Sequence, residues 1–179
     1  MSETEIIKLV FGIMLSIYTV VLFVLAYALA YKYVVQEKRC TARTKGIIKR
    51  YTFASRSNGI FLPVVFYTVD GKAYRVVGPE YRIYKTVVRK SPVAENETEG
   101  REESQIFIVN RTVNSSVGIY RNPMKTRYPL YSEIDVYYDP KKPKLAYVLR
   151  YCNRKWMFYA LFCAALLTLT ADLLILFLL

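Results

Sequence analysis

Tyr128-Pro-Leu-Tyr-Ser-Glu-Ile-Asp-Val-Tyr-Tyr-Asp-Pro-Lys-Lys-Pro-Lys-Leu-Ala-Tyr-Val-Leu-Arg-Tyr-Cys-Asn-Arg-Lys-Trp156 is the stretch whose reading decides the fold. Ile134, Val136 and Tyr138 alternate with Asp135 and Tyr137, the period of a half-buried strand. In Asp139-Pro140-Lys141-Lys142-Pro143 the Asp side chain is placed to bond backbone amides ahead of it. Pro140 fixes φ for a turn, and Pro143 denies the next strand an early start. Leu145 to Leu149 reads as that strand. Arg150, Arg154 and Lys155 then make a basic step into an apolar run. Tyr138, Asp139, Pro140 and Pro143 are the signature of the turn.

Outward from this stretch the composition is uneven. The chain is 54% hydrophobic, yet carries 26 Lys and Arg against 14 Asp and Glu. The apolar residues gather at both ends and the charges in the middle, which is the pattern of a membrane protein with one hydrophilic module. The reading that follows is a two-helix transmembrane hairpin carrying one small all-β domain, barrel-like or sandwich. Residues 1–33 are the first transmembrane helix, 34–155 the basic β domain with an acidic loop at 91–105, and 156–179 the second helix.

Ile6 to Tyr31 is apolar apart from Lys8, Gly12, Ser16 and Thr19, and about twenty such residues cross a hydrocarbon core. Ala28-Leu29-Ala30 is a small-x-small cleavage pattern. A signal peptide, however, has a shorter core and a positive leader, whereas this leader is Met-Ser-Glu-Thr-Glu. Downstream lie Lys32, Lys38, Arg39, Arg43, Lys45, Lys49 and Arg50 against Glu37 alone. Arg150, Arg154 and Lys155 precede the second run. Both flanks place the β domain in the cytoplasm and both termini outside. Lys32, Lys38, Arg39, Arg150, Arg154 and Lys155 are the expected lipid-facing cations, with anionic headgroups as their partner.

In the second run Ala160, Ala164, Thr168 and Asp172 recur every four residues, giving one small and polar face. In an antiparallel hairpin Ser16 and Thr19 lie at matching depth. Ser16 and Thr19 are therefore expected against Thr168 and Asp172. The competing expectation puts Asp172 among the outer headgroups, in water.

The middle reads as strands. Thr44 to Tyr51 is a first strand in which Gly46 marks a bulge. Phe61 to Val69 and Lys72 to Val77 flank Asp70-Gly71, the strongest short hairpin signal, and Pro63 belongs at a strand start or edge. Tyr81 to Lys90 reads equally as strand or amphipathic helix. Ser91 to Gln105 is polar and acidic and reads as a mobile loop. Ile106 to Val109 is a short buried strand, and Val113 to Arg127 is ambiguous. Five to seven strands are expected in all.

Several chemistries are excluded or unsupported. There is no histidine, which removes imidazole bases and imidazole metal sites. Cys40, Cys152 and Cys163 have neither metal-ligand spacing nor a disulfide framework. No phosphate loop, dinucleotide fingerprint or nucleophile elbow is present. No catalytic residue, metal or cofactor is expected. The 17 Tyr are interleaved with Lys and Arg, as on a nucleic-acid platform, but Tyr is also a good strand residue and no nucleic-acid motif accompanies it. Nucleic acid is not the expected partner.

Gly46 and Ile48 in an opening strand, the Tyr67-to-Tyr74 hairpin around Asp70-Gly71, and Val-Tyr-Tyr-Asp-Pro-x-x-Pro-x-x-Ala over 136–146 together resemble the bacterial membrane-anchored domain-of-unknown-function 3592 family. The resemblance covers roughly residues 40–150, and the closing turn is its most specific part. It implies a membrane-anchored β domain and carries no activity. The expected function is a non-catalytic interaction or accessory protein presenting its β domain to a protein partner or to further copies of itself. Alternatives are an immunity protein against a toxin and a ligand-sensing oligomeric effector or pore.

Overall fold

The structure, a computed structural model, describes residues 3–53, 59–91, 97–113 and 121–178. It divides into two compact units, Met1–Val35 with Arg154–Leu179, and Gln36–Asn153.

The first unit is a helical hairpin. Helix α1 (Glu3–Leu25) passes through a π-helical turn (Ala26–Ala30) into α2 (Tyr31–Arg39), and α4 (Lys155–Leu178) packs against it. Both arms are long and apolar enough to cross a membrane. Leu, Ile, Val, Met and Ala propagate these helices, and no proline interrupts them. Large apolar side chains such as Ile6, Phe11, Ile17, Leu167 and Leu174 point outward. A helix that is apolar all round suits hydrocarbon better than water. The arms meet on small residues, with Ala26, Ala30 and Ala165 fully enclosed. Phe23 meets Phe162 edge-on at 5.5 Å. The first helix was expected to end at residue 33 but runs to Arg39. Its last turn continues through polar residues, and the Cys40 amide closes on the Gln36 carbonyl.

The second unit holds eight strands among the described residues, more than the five to seven expected. Five form one antiparallel sheet in the order β3-β2-β1-β7-β8. These are β1 (Ala42–Tyr51), β2 (Pro63–Val69), β3 (Lys72–Val77), β7 (Glu133–Asp139) and β8 (Lys142–Val148). The sheet curls until its edges β3 and β8 approach, so it is a nearly closed barrel. Tyr67 Oη donates to the Pro143 carbonyl across the interior at 2.5 Å. Ile48, Val65, Tyr67, Ile134, Val136, Ala146 and Val148 fill the centre. Taken around the curl, the order β1-β2-β3-β8-β7 with its long connection from β3 to β7 is a partly open Greek-key barrel of OB type.

The Asp70-Gly71 turn has φ of +49° and +74°, as a tight hairpin turn requires, and Val69 faces Lys72 across it. Pro63 opens β2. Gly46 marks no bulge; the irregularity in β1 falls between Ile48 and Arg50. Pro143 does not delay β8, which begins at Lys142. An edge strand tolerates a missing amide there.

The connection from β3 to β7 contains a second sheet, of order β4-β6-β5. Its strands are β4 (Ile83–Lys90), β5 (Thr98–Glu103) and β6 (Ile106–Val113). The undecided segment at 81–90 is thus strand, paired in parallel with β6. The acidic loop at 91–105 is corrected in part: 92–96 lie outside the described residues, but Thr98–Glu103 is a strand antiparallel to β6. Its polar residues hold a strand because alternate side chains turn inward and find partners. Residues 114–120 also lie outside the described residues. Pro123–Arg127 is a short helix, α3, whose Asn122 cap accepts from the Met124 amide and brackets Phe61. Ile60, Leu62, Tyr81, Phe107, Val109 and Met124 form a second buried cluster. Tyr128 packs on both clusters.

Candidate functional site

Two places gather the residues singled out above. The first is the inner face of the helical hairpin. Ser16 Oγ donates to Asp172 Oδ2 at 2.5 Å, and Thr19 Oγ1 donates to Thr168 Oγ1 at 2.9 Å. The helical repeat puts these four residues on facing stripes, and the antiparallel pairing sets them at equal depth. Asp172 and Thr19 are each about 4% exposed, so the carboxyl lies between the two helices.

The second is the closing turn. Asp139 is buried, and its Oδ1 accepts from the Lys141 amide at 2.9 Å, the bond expected of an Asp that opens such a turn. Its Oδ2 also meets Arg39 Nε at 3.2 Å, a partner one hundred residues back that the turn motif could not reveal. Gln36 Nε2 donates to the Ala146 carbonyl at 2.8 Å and Cys40 Sγ faces the Leu145 carbonyl at 3.4 Å. Gln36 and Cys40, at the start of the second unit, are thereby bound to β8. Lys38, Arg39, Thr41, Asp139, Pro140 and Lys141 line a cleft of about 290 Å³ whose rim carries three cations. Tyr138 is half-buried on the barrel side, and Pro143 supplies the carbonyl that Tyr67 uses.

The six basic residues divide. Lys32 and Lys38 are exposed, and Lys32 Nζ stands 4.6 Å from the centre of the Tyr33 ring. Arg154 and Lys155 are half-buried. Arg39 is exposed but shares its charge with Asp139. Arg150 is a correction to the lipid-facing set: it turns inward to Glu102 and lies 5.0 Å over the Tyr81 ring.

Glu102 was not legible as a hub. Besides Arg150 it receives Arg127 Nη2 at 3.2 Å, Tyr81 Oη at 3.2 Å and Tyr128 Oη at 3.3 Å. Nearby, Gln105 clasps the Tyr151 carbonyl and the Asn153 amide. The three-stranded sheet is therefore tied to the last residues of the β domain. Burial, with the Tyr128 bond next, drives the Tyr81 phenol strongly upward. Elsewhere Asp135 is held below the usual carboxylate range by its bonds to Lys45 and then Arg43.

Among the described residues no group of three or more acidic or cysteine side chains is placed to hold a metal ion. No protein family, curated protein or solved structure matches this chain.

The thiols yield a prediction. Burial, then Asp139, pushes the Cys40 thiol up to about 11 from an ordinary 9.0. Only the thiolate reacts, so in a variant retaining Cys40 alone maleimide labelling near neutral pH should run about a hundredfold slower than for a free thiol. The rate should rise about tenfold per pH unit until the thiol titrates. A rate equal to that of a small free thiol would contradict the packing of Cys40 against Leu145.

Proposed function

We propose that this chain is a membrane-anchored, non-catalytic accessory module. Its two apolar helices hold it in a bacterial inner membrane with both termini outside. The β domain lies in the cytoplasm, keeps its basic side against anionic headgroups and presents the remaining surface to a protein partner or to further copies of itself. The observation that supports this most is the closing turn. Lys38 and Arg39, the last residues of the first long helix, converge there with Lys141 of the closing turn. Clustered cations beside a span draw acidic lipid at about 1 kcal/mol each. The resemblance to the domain-of-unknown-function 3592 family points to the same address.

Lipid dependence is measured on the full chain in nanodiscs with and without phosphatidylglycerol. The expected result is a higher unfolding temperature with the anionic lipid, reduced by salt. A Lys38→Gln/Lys141→Gln/Lys142→Gln variant should lose the difference. Equal temperatures in both lipids would remove the headgroup role.

Orientation needs an exposed probe, because Cys40 and Cys152 are both buried. Lys72→Cys, on an exposed position of the β2-β3 hairpin, supplies one. An impermeant maleimide should label it only after cell lysis. Labelling of intact cells would place the β domain outside, and an immunity or envelope role would then lead.

A second reading, a ligand-sensing effector, draws on one feature. Thr98, Arg101, Asn110, Thr126 and Arg127, with Glu99, Gly100 and Pro123, line an open cavity of about 370 Å³, and Arg127 is also a partner of Glu102. Conductance across planar bilayers that depends on Arg127 would favour it.

A further inference from the structure

The three-stranded sheet has two faces, and its register sorts the side chains between them. Phe107 and Val109 belong to the second buried cluster, and Glu102, in the same row as Phe107, meets Tyr81 and Tyr128. That face is covered by the rest of the β domain. The alternate residues make the opposite face. Its central column on β6 is Ile106, Ile108, Asn110 and Thr112, of which Ile108 is 8% exposed and lies in neither buried cluster. Beside it β4 presents Ile83, 48% exposed, and the exposed cations Lys85 and Arg89. On the other side β5 presents the exposed carboxylates of Glu99 and Glu103 with Arg101 between them, and Glu97 stands just before the strand.

Both signs of charge are therefore on one face, kept apart by β6. Strands stand about 4.8 Å apart, which puts the β4 cations roughly 10 Å from the β5 carboxylates. Among the described residues none of these six charged side chains makes an ion pair. Charges on edge strands commonly block edge-to-edge pairing, and either sign serves. Blocking does not call for cations on one edge, a net negative charge on the other and isoleucines between them. Such a face is complementary to itself.

We propose that this face packs on the same face of a second copy of the chain. A two-fold axis running along β6 lays β4 of each copy over β5 of the other. Lys85 and Arg89 of one copy then meet the Glu97, Glu99 and Glu103 side of the other, twice over, while Ile106 and Ile108 close the middle. Lys85 comes over Arg101, but Glu99 and Glu103 flank Arg101 two residues away on the same face, and the long lysine stem reaches either. The face measures about 400 Å², roughly half of what each partner buries in a stable pair. It closes only among copies already concentrated, as apolar spans in one bilayer concentrate them. The proposal thus rests on the anchoring given above and names the surface through which copies meet.

The test is cross-linking of the full chain in phosphatidylcholine liposomes. Asn110→Cys puts a probe near the axis, on a Cys163→Ala background, since Cys40 and Cys152 are buried. A bismaleimide of about 10 Å, the spacing of packed sheets, should join two copies about tenfold faster than it joins copies probed at Lys72→Cys on the β2-β3 hairpin. The rate should fall severalfold as salt rises from about 0.05 M to about 1 M. Charge reversal is the sharper step. Lys85→Glu/Arg89→Glu makes both edges negative and Glu99→Lys/Glu103→Lys makes both positive, so each variant alone should lose the linkage. Mixed together they should regain it between unlike copies, which also shows that both are folded. A mixture no better than its parts overturns the proposal, and so does a linkage indifferent to salt or to either reversal. In host membranes, an adduct of the Asn110→Cys probe with a different protein, and none between copies, gives the face to an outside partner and overturns it likewise. Alkaline carbonate separates the two levels. A chain washed off the liposomes defeats the anchoring itself, whereas a carbonate-resistant chain without the linkage defeats this face alone.

Discussion

Glu102→Ala should lower the unfolding free energy of the β domain by about 3 kcal/mol, the lower end for removing one partner of a buried ion pair. The Glu102 side chain is 13% exposed and Arg150 26%, so water screens the pair only in part. Removing the carboxylate leaves Arg150 with its charge uncompensated over Tyr81 and takes the shared acceptor from Tyr81 and Tyr128. Urea unfolding followed by the near-UV circular dichroism of the tyrosines measures this in the full chain. A double variant, Glu102→Ala with Arg150→Met, should recover part of the loss, because it removes the stranded charge as well. A single-variant loss below about 1 kcal/mol would mean that the network is held together by packing and not by charge.

Gly46→Val should cost about 2–3 kcal/mol through overpacking. Even a lone Cβ at this position would fall 2.5 Å from Val65 Cγ1, 2.9 Å from Val136 Cγ2 and 3.1 Å from the Phe66 carbonyl oxygen. Gly46 stands opposite Ile134 in the β1-β7 ladder, on the strand at the middle of the barrel's sheet. The backbone carbonyl cannot move without disturbing the β1-β2 pairing. Pairing Gly46→Ala with Val65→Ala should relieve the closest collision and restore stability relative to Gly46→Ala alone. Thermal unfolding of the two variants side by side checks it. Equal midpoints would mean that the strand yields by sliding.

These two positions mark where the sequence was readable and where it was not. Gly46 was visible as an unusual residue in a strand, but its purpose was misread. A bulge and a close approach leave the same letter, and only the neighbours tell them apart. The hairpin at Asp70-Gly71 was fully legible because its signal is local and conformational. The facing of Ser16 and Thr19 toward Thr168 and Asp172 was legible for a different reason. Helical periodicity fixes the face, and two spans of similar length joined antiparallel fix the depth. The strand Thr98–Glu103 was opaque. Thr-Glu-Gly-Arg-Glu-Glu has low strand propensity and no apolar alternation, and what turns Glu102 inward is Arg150, forty-eight residues away. The parallel pairing of β4 with β6 was hidden likewise, since nothing within either segment names the other. Arg150 was misassigned to the lipid for the same reason: it stands just before the second apolar helix in sequence, but its partner is Glu102.

The Greek-key connection has a consequence for how this protein can be altered. Every ladder of the five-stranded barrel is made by residues at or before Val77 and at or after Glu133. The three-stranded sheet and α3 are thus a cassette carried in one connection of the barrel. Its chief fastening is the buried cluster in which Ile60 and Leu62 meet Tyr81, Phe107, Val109 and Met124, and the Glu102 carboxylate, the Gln105 clasp and the Asn122 bracket on Phe61 add to it. A replacement of equal span would therefore have to present the same apolar face to Ile60 and Leu62, so the insertion and the β1–β2 connection can change only together.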